Sequence, residues 1–90
     1  MNKADKVSVI INCLNGKKFL DKSINSALSQ DYKNLEIIFW DNNSIDGSVN
    51  YLKKFKIKKI KIFKSKRRTN LYIAKNNAIS KANGRYIAFL

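Results

Sequence analysis

Four short apolar runs, each of strand length and each separated from the next by a stretch of helical period, constrain this chain more than any other feature. Val7-Ser8-Val9-Ile10-Ile11 is β-branched and bounded by polar residues. Leu35 to Trp40 is a second run, which stops abruptly at Asp41-Asn42-Asn43-Ser44. Ile60 to Phe63 supplies a third, and Tyr86 to Leu90 a fourth. Runs of this kind are expected of strands buried on both faces of a parallel sheet. Between them, Leu20, Ile24, Ala27 and Leu28 fall on one face of a helix predicted to end near Gln30. Val49, Leu52 and Phe55 recur at a spacing of three and predict a short second helix, with Ser44 as its cap and Asp46 in its first turn. Asn70 is placed to cap a third helix, whose inner face is Leu71, Ala74, Ala78 and Ala82. Gly84 follows where a left-handed C-terminal residue is wanted.

This order predicts an α/β fold: a parallel, Rossmann-like sheet with flanking helices, β-α-β-α-β-α-β, over residues 7–90, preceded by a polar tail over residues 1–6. In such sheets ligands bind beyond the carboxyl ends of the strands, where strand order reverses. Those ends carry Asn12 to Asn15, Asp41 to Ser44 and Lys64 to Thr69.

Composition narrows the chemistry. A net charge of +13 would attract nucleic acid, an acidic membrane face or the diphosphate of a nucleotide. The excess is mostly lysine in a chain also heavy in Asn and Ile, a bias that an AT-rich coding sequence produces by itself. One cysteine and no histidine exclude an internal disulfide and a Cys/His zinc site. Cys13 reads as a small buried filler. Val7 to Ile11 is too short for a signal-peptide core or a membrane span, so the segment reads as cytoplasmic and soluble. No Gly-x-Gly-x-x-Gly follows the first strand and no Gly-Lys-Ser/Thr loop is present, which removes dehydrogenase and NTPase readings.

Three stretches resemble the family 2 glycosyltransferases, which have the GT-A fold. Val7 to Asn15 is similar to the family's aliphatic run leading to Pro-Thr-Tyr-Asn, with Asn15 kept and Asn12, Cys13 and Leu14 departing. The likeness continues through Phe19-Leu20, Ser26 and Gln30-Asp31-Tyr32. Leu35 to Ser48 resembles a Glu-aliphatic run followed by Asp-Asp-Gly-Ser-Thr-Asp-Gly and is the most specific stretch. Ala74-Lys75-Asn76 and Gly84 to Leu90 resemble the Ala-Arg-Asn helix and the Gly-x-Tyr-Ile-Ala-Phe-Leu strand. In the family an Asp-x-Asp motif comes next, so residues 7–90 are expected to be the nucleotide-sugar-binding, N-terminal half of a GT-A domain, inactive alone.

The resemblance implies transfer of a sugar from a nucleoside diphosphate, a UDP-sugar first among them, to a saccharide or lipid-linked acceptor hydroxyl, with inversion. It implies Mg²⁺ or Mn²⁺ in the complete enzyme and a catalytic base, both supplied from outside this chain. It implies a cytoplasmic enzyme able to sit peripherally on the inner membrane face, in polysaccharide synthesis. Carried over by position, Asn12 and Leu14 would meet the base or ribose, and Asn42, in place of an Asp, the polar edge of the base. Asp41 and Asn15 would either contact ligand or shape their turns. Arg68, with Lys64, Lys66 and Arg67, lies after the third strand and would either neutralise the diphosphate or be solvated charge, whereas Lys75, which stands where the family has Arg, would meet phosphate as a point charge. Two other readings carry different expectations. A basic nucleic-acid-binding module would show steeply salt-dependent affinity for polynucleotides, and a vestigial non-catalytic module would be unstable alone.

Overall fold

The computed structural model describes residues 5–90; residues 1–4 of the expected tail lie outside the described residues. Strand β1 (Val7–Cys13) leads through a single 3-10 turn (Lys17–Phe19) into helix α1 (Leu20–Leu28). Then follow β2 (Leu35–Asp41), α2 (Ser48–Lys53), β3 (Ile60–Lys64), α3 (Leu71–Ser80) and β4 (Tyr86–Phe89). The four strands form one parallel sheet in the order β3-β2-β1-β4. The chain builds outward from β1 to β3, then crosses back so that β4 lies on the other side of β1. Strand order therefore reverses at β1, which puts the ligand-binding crevice of such a sheet at its carboxyl end.

The side-chain period of two divides the sheet between two cores. Val7, Val9, Ile11 and Cys13 of β1 and Leu35, Ile37 and Phe39 of β2 pack with Leu20, Ile24 and Ala27 of α1, Val49 and Leu52 of α2, and Ile60. On the opposite face Ile10, Ile38 and Trp40 meet Ala74 and Ala78 of α3, with Phe63 and Ala82 at the margin. All seven residues of β2 are buried, which is why its sequence is mostly apolar, with the acidic Glu36 and Asp41 as the exceptions. Ala78 is fully buried on the inner face of α3, where a side chain of one methyl lets the helix approach the sheet closely.

Local details depart from the sequence reading for physical reasons. Helix α1 ends at Leu28, and α2 begins at Ser48 because Ser44 is engaged by Asp41 instead of capping a helix. Asp46 precedes α2 and accepts from the Ser48 N–H, with Gly47 between them in the left-handed region at φ 82°. Asn70 does cap α3, accepting from the Ile73 N–H at 2.9 Å. Leu71 is exposed, so the inner face of α3 is its alanines alone. Phe55 is exposed beyond the end of α2.

Gly84 is not in the left-handed region. It is required by close approach: a Cβ there would lie 2.5 Å from Ser8 Oγ and 2.8 Å from both Lys6 O and Ser8 N. That contact belongs to the main polar structure of the fold, centred on Glu36, which is 3% exposed inside β2. Its Oε1 meets Lys61 Nζ at 2.8 Å and Lys6 Nζ at 3.4 Å. Its Oε2 accepts from Ser8 Oγ at 2.5 Å and from the Asn83 N–H at 2.6 Å. Ser8 Oγ in turn accepts from the Gly84 N–H at 2.8 Å. Burial opposes ionisation of Glu36, but the Lys61, Ser8 and Asn83 hydrogen bonds and the Lys61 charge together outweigh it and bring the carboxyl to about 2.

Two predictions follow from this network. Because the folded pKa of Glu36 lies below its ordinary value of 4.5, its contribution is complete above that value and is lost as pH falls toward about 2. A shift of that size corresponds to roughly 3 kcal/mol. Urea denaturation between these pH values should therefore show steep acid destabilisation, and Glu36→Gln should flatten it while lowering stability at neutral pH. Gly84→Ala should cost about 1–3 kcal/mol through overpacking against backbone, read as a lowered midpoint in the same titration.

Candidate functional site

The carboxyl ends of β1 and β2 finish level, with Cys13 opposite Asp41. The ladder continues one step further through Asn42 N–H to Cys13 O at 2.8 Å and Ser65 N–H to Asp41 O at 2.8 Å. Beyond that point the loops are laced together. Asp41 Oδ2 accepts from the Ser44 N–H at 2.8 Å and its Oδ1 from Ser44 Oγ at 2.6 Å, the side-chain turn that Asp favours. Ser44 Oγ accepts from the Asn15 N–H at 2.8 Å, and Asn15 Oδ1 accepts from the Ile45 N–H at 2.8 Å. Asn15 and Asn43 hold φ 53° and 65°, the left-handed region in which Asn is enriched. Lys64 Nζ donates to Ser44 O at 3.1 Å and lies 3.6 Å from Asp41 Oδ2. Nearby, the Ser48 hydroxyl and the Lys17 N–H hold the Asp46 carboxyl below the usual carboxylate range.

This latch leaves a cleft of about 450 Å³ on the α3 side of the sheet. Asn12 and Cys13 line it from β1, Leu14 and Asn42 from the residues just after β1 and β2, and Arg68, Thr69, Asn70, Leu71 and Ala74 from the β3–α3 connection and α3. Asn42 ties its two walls together: its Nδ2 donates to Thr69 O at 2.7 Å, while its Oδ1 accepts from the Thr69 N–H at 3.0 Å and Oγ1 at 3.2 Å. The amino end of α3, where helical N–H groups carry partial positive charge, opens onto the cleft beside Arg68. Asn12 and Trp40 are register partners on the same face, and Asn12 Oδ1 and Trp40 Nε1 are both buried without a hydrogen-bond partner. An acceptor and a donor left in this way have hydrogen-bonding capacity that the protein itself does not use.

Of the residues singled out in the sequence, Asn12, Leu14, Asn42 and Arg68 come together in the cleft. Asn15 and Asp41 do not line it; Asp41 is fully buried, and both residues are used in the latch. Lys75 does not line it either, and its ammonium sits over the Phe89 ring, 5.1 Å from the centroid. Thr69 and Asn70, read only as loop and cap, are part of the lining. The signal for them was their place after a third strand whose carboxyl end points the same way as the first two. Cys13 is buried as expected, with Sγ 4.0 Å from Ser44 Oγ. No carboxylate lines the cleft, and among the described residues no group of three or more His, Cys, Asp or Glu side chains could hold a metal ion.

Comparison with known proteins bears on the family and the fold. The glucosyltransferase WfaP of Escherichia coli, named for transfer from UDP-Glc to α-D-GlcNAc-diphosphoundecaprenol, is 42% identical over 84 residues, covering 93% of this chain and 34% of WfaP. The cholesterol galactosyltransferase of Borreliella burgdorferi is 38% identical over 86 residues, covering 93% of this chain and 24% of that protein. The crystal structure of S. aureus TarS 1-349 superposes with a TM-score of 0.84 at 25% identity, over 94% of this chain and 26% of TarS. The chain spans about a third of the length of the curated relatives it matches. The family model described as Glycosyl transferase family 2 matches residues 8–90, and on that match and the parallel GT-A sheet that carries it, the chain belongs to glycosyl transferase family 2.

Proposed function

We propose that the complete protein transfers a sugar from a nucleoside diphosphate sugar to an acceptor hydroxyl, with inversion, and that these ninety residues bind the donor nucleotide. The observation that carries this reading is the cleft that joins Asn12, Leu14, Asn42 and Arg68 at the amino end of α3. Each part has a chemical use. Asn12 Oδ1 is an unpartnered acceptor suited to the N–H of a pyrimidine, and Leu14 offers apolar surface to a ring. Arg68 and the first N–H groups of α3 suit a diphosphate. A UDP-sugar is the favoured donor, supported by the 42% identical relative named for UDP-Glc.

Asn42 enters this reading as a positioning residue as well as a candidate base contact, because its amide already holds the Thr69 backbone. Asn15 and Asp41 fix the loops that carry Leu14 and Asn42. Lys75 would reach a diphosphate only by leaving the Phe89 ring. The family resemblance brings with it Mg²⁺ or Mn²⁺ in the complete enzyme. The cleft lining holds no carboxylate to bind such an ion or to serve as base, so no step of the transfer is assigned to these residues. The acceptor in this reading is saccharide or lipid-linked, as the diphosphoundecaprenol and cholesterol acceptors of the two relatives suggest. No helix among the described residues is long and apolar enough to cross a membrane, and the reading places the protein at the cytoplasmic face as a peripheral enzyme.

Titration of the isotope-labelled chain with UDP, GDP and pyrophosphate, followed by amide chemical shifts, tests the donor site. UDP should move Leu14, Asn42, Thr69 and Asn70 saturably, with an affinity on the order of millimolar. Pyrophosphate should move only the Arg68 to Leu71 region. Identical shifts from all three would mean that a cationic surface, not a nucleotide pocket, is responsible. Asn12→Ala should weaken UDP about tenfold, the worth of one hydrogen bond. It should leave the denaturation midpoint unchanged, since the buried Oδ1 has no protein partner to lose.

A further inference from the structure

Ten of the nineteen lysines and arginines fall between residues 53 and 68, and none of the six acids does. Residues 53–68 run from the last residue of α2 through β3 and into the loop before α3. Among the described residues strand β3 pairs only with β2, so β3 is an edge strand of the sheet and the rest of the segment flanks its two ends. Lysines on an edge strand have an ordinary use, blunting it against pairing with other chains. That accounts for Lys61 and Lys64, which also hold Glu36 and Asp41. It does not account for Lys53, Lys54, Lys56, Lys58 and Lys59 before the strand or Lys66, Arg67 and Arg68 after it. These eight are exposed, and none is in an ion pair among the described residues.

We propose that this basic edge docks the protein on an anionic phospholipid bilayer. Size is the first reason. Five residues of β3 separate the two cationic groups by roughly 16 Å, further than the Debye length of about 8 Å at physiological salt. A single diphosphate in the cleft meets one end only, whereas a flat anionic surface meets both. The second reason is Phe55, 53% exposed between Lys54 and Lys56 and held edge-on against Tyr51 at 5.3 Å. An exposed aromatic ring with lysines on both sides in the sequence gains nothing from phosphates, but it suits the headgroup–acyl boundary, where basic and apolar side chains bind together. Base-specific recognition of nucleic acid is disfavoured because eight of the ten cations are lysine, which lacks the planar fork of arginine. The other aromatic of the strip, Phe63, is occupied by Trp40 and by Lys81 and is not free to stack on bases. The cationic end at Lys66 to Arg68 borders the cleft, so docking on this edge would bring the cleft to the lipid surface. The inference rests on the peripheral placement proposed above and gives it a surface; it needs no nucleotide, and of the eight cations only Arg68 also lines the donor cleft.

Co-sedimentation of the chain with phosphatidylcholine vesicles, with and without one third phosphatidylglycerol, tests it at about physiological ionic strength. Binding should require the anionic lipid. Each lysine near the surface is worth roughly a fivefold change, so a Lys54→Gln, Lys56→Gln, Lys58→Gln triple variant should bind about a hundredfold more weakly. A control triple of Lys18→Gln, Lys22→Gln and Lys33→Gln, equal in charge, should lose less than about threefold on the same scale. Phe55→Ser should weaken vesicle binding severalfold without changing the far-ultraviolet spectrum. Equal losses in the two triples, binding to pure phosphatidylcholine, or no binding to either vesicle would overturn the proposal. So would tighter binding to an oligonucleotide than to vesicles with Phe55→Ser indifferent, which would make the edge a nucleic-acid surface.

Discussion

One buried carboxylate organises the amino-terminal edge of this sheet. Glu36 sits in the middle strand at 3% exposure, and an isolated charge there would be too costly to keep ionised. It stays charged because its partners come from every side: Lys61 from β3, Ser8 from β1, and the Asn83 N–H from the turn before β4, with Lys6 alongside. The desolvation cost is thereby offset only when all four strands are in register. This makes the network a device for specifying alignment as much as a source of stability. Gly84 completes it, because only a residue without Cβ lets that turn press onto Ser8 and Lys6.

With the amino ends locked, the carboxyl ends are free to carry binding chemistry, yet they need their own restraint to hold two loops apart. Asp41 supplies it by accepting twice from Ser44, which in turn accepts from Asn15. The two acidic residues of β2 therefore do similar work at opposite ends of the strand, one as a salt-bridged hub and one as a turn. Asn12 Oδ1 is a group of the cleft lining that no part of the scaffold consumes. A side chain already fully hydrogen-bonded, as Asp41 is, makes a poorer candidate for ligand contact than one with capacity to spare.

The sequence made the strands legible because burial on both faces leaves a compositional trace that loops do not imitate, and it placed Asn70 correctly because a cap before an apolar helix face has few alternatives. What it concealed were cases in which one residue type serves two physical ends. Ser44 has the look of a helix cap, but the same hydroxyl satisfies Asp41 three residues before it. Gly84 has the look of a left-handed helix terminator, but here it answers steric crowding from a strand 76 residues away in sequence. Leu71 falls on the alanine face by spacing, yet at the first turn of α3 it is exposed along the cleft lining instead of packed in the core. In the candidate site, the strand ends were legible as a place, whereas the roles of Asn15, Asp41 and Lys75 depended on partners from other elements.

The charge distribution follows the same logic. A coding bias toward lysine would scatter cations along the chain, and the acids would fall among them at random. Here Asp21, Glu36, Asp41 and Asp46 are all engaged in hydrogen bonds that shape the fold, and the stretch from 53 to 68 has none. Folding therefore uses acids where they can be paired and leaves one edge uniformly positive at a cost in self-repulsion. Such a cost is relieved when something outside the fold neutralises the edge. A cleft with one arginine cannot do so, since its diphosphate would neutralise one corner of the strip. An extended anionic surface would neutralise the whole edge at once, and the fold and the charge pattern then become parts of one arrangement.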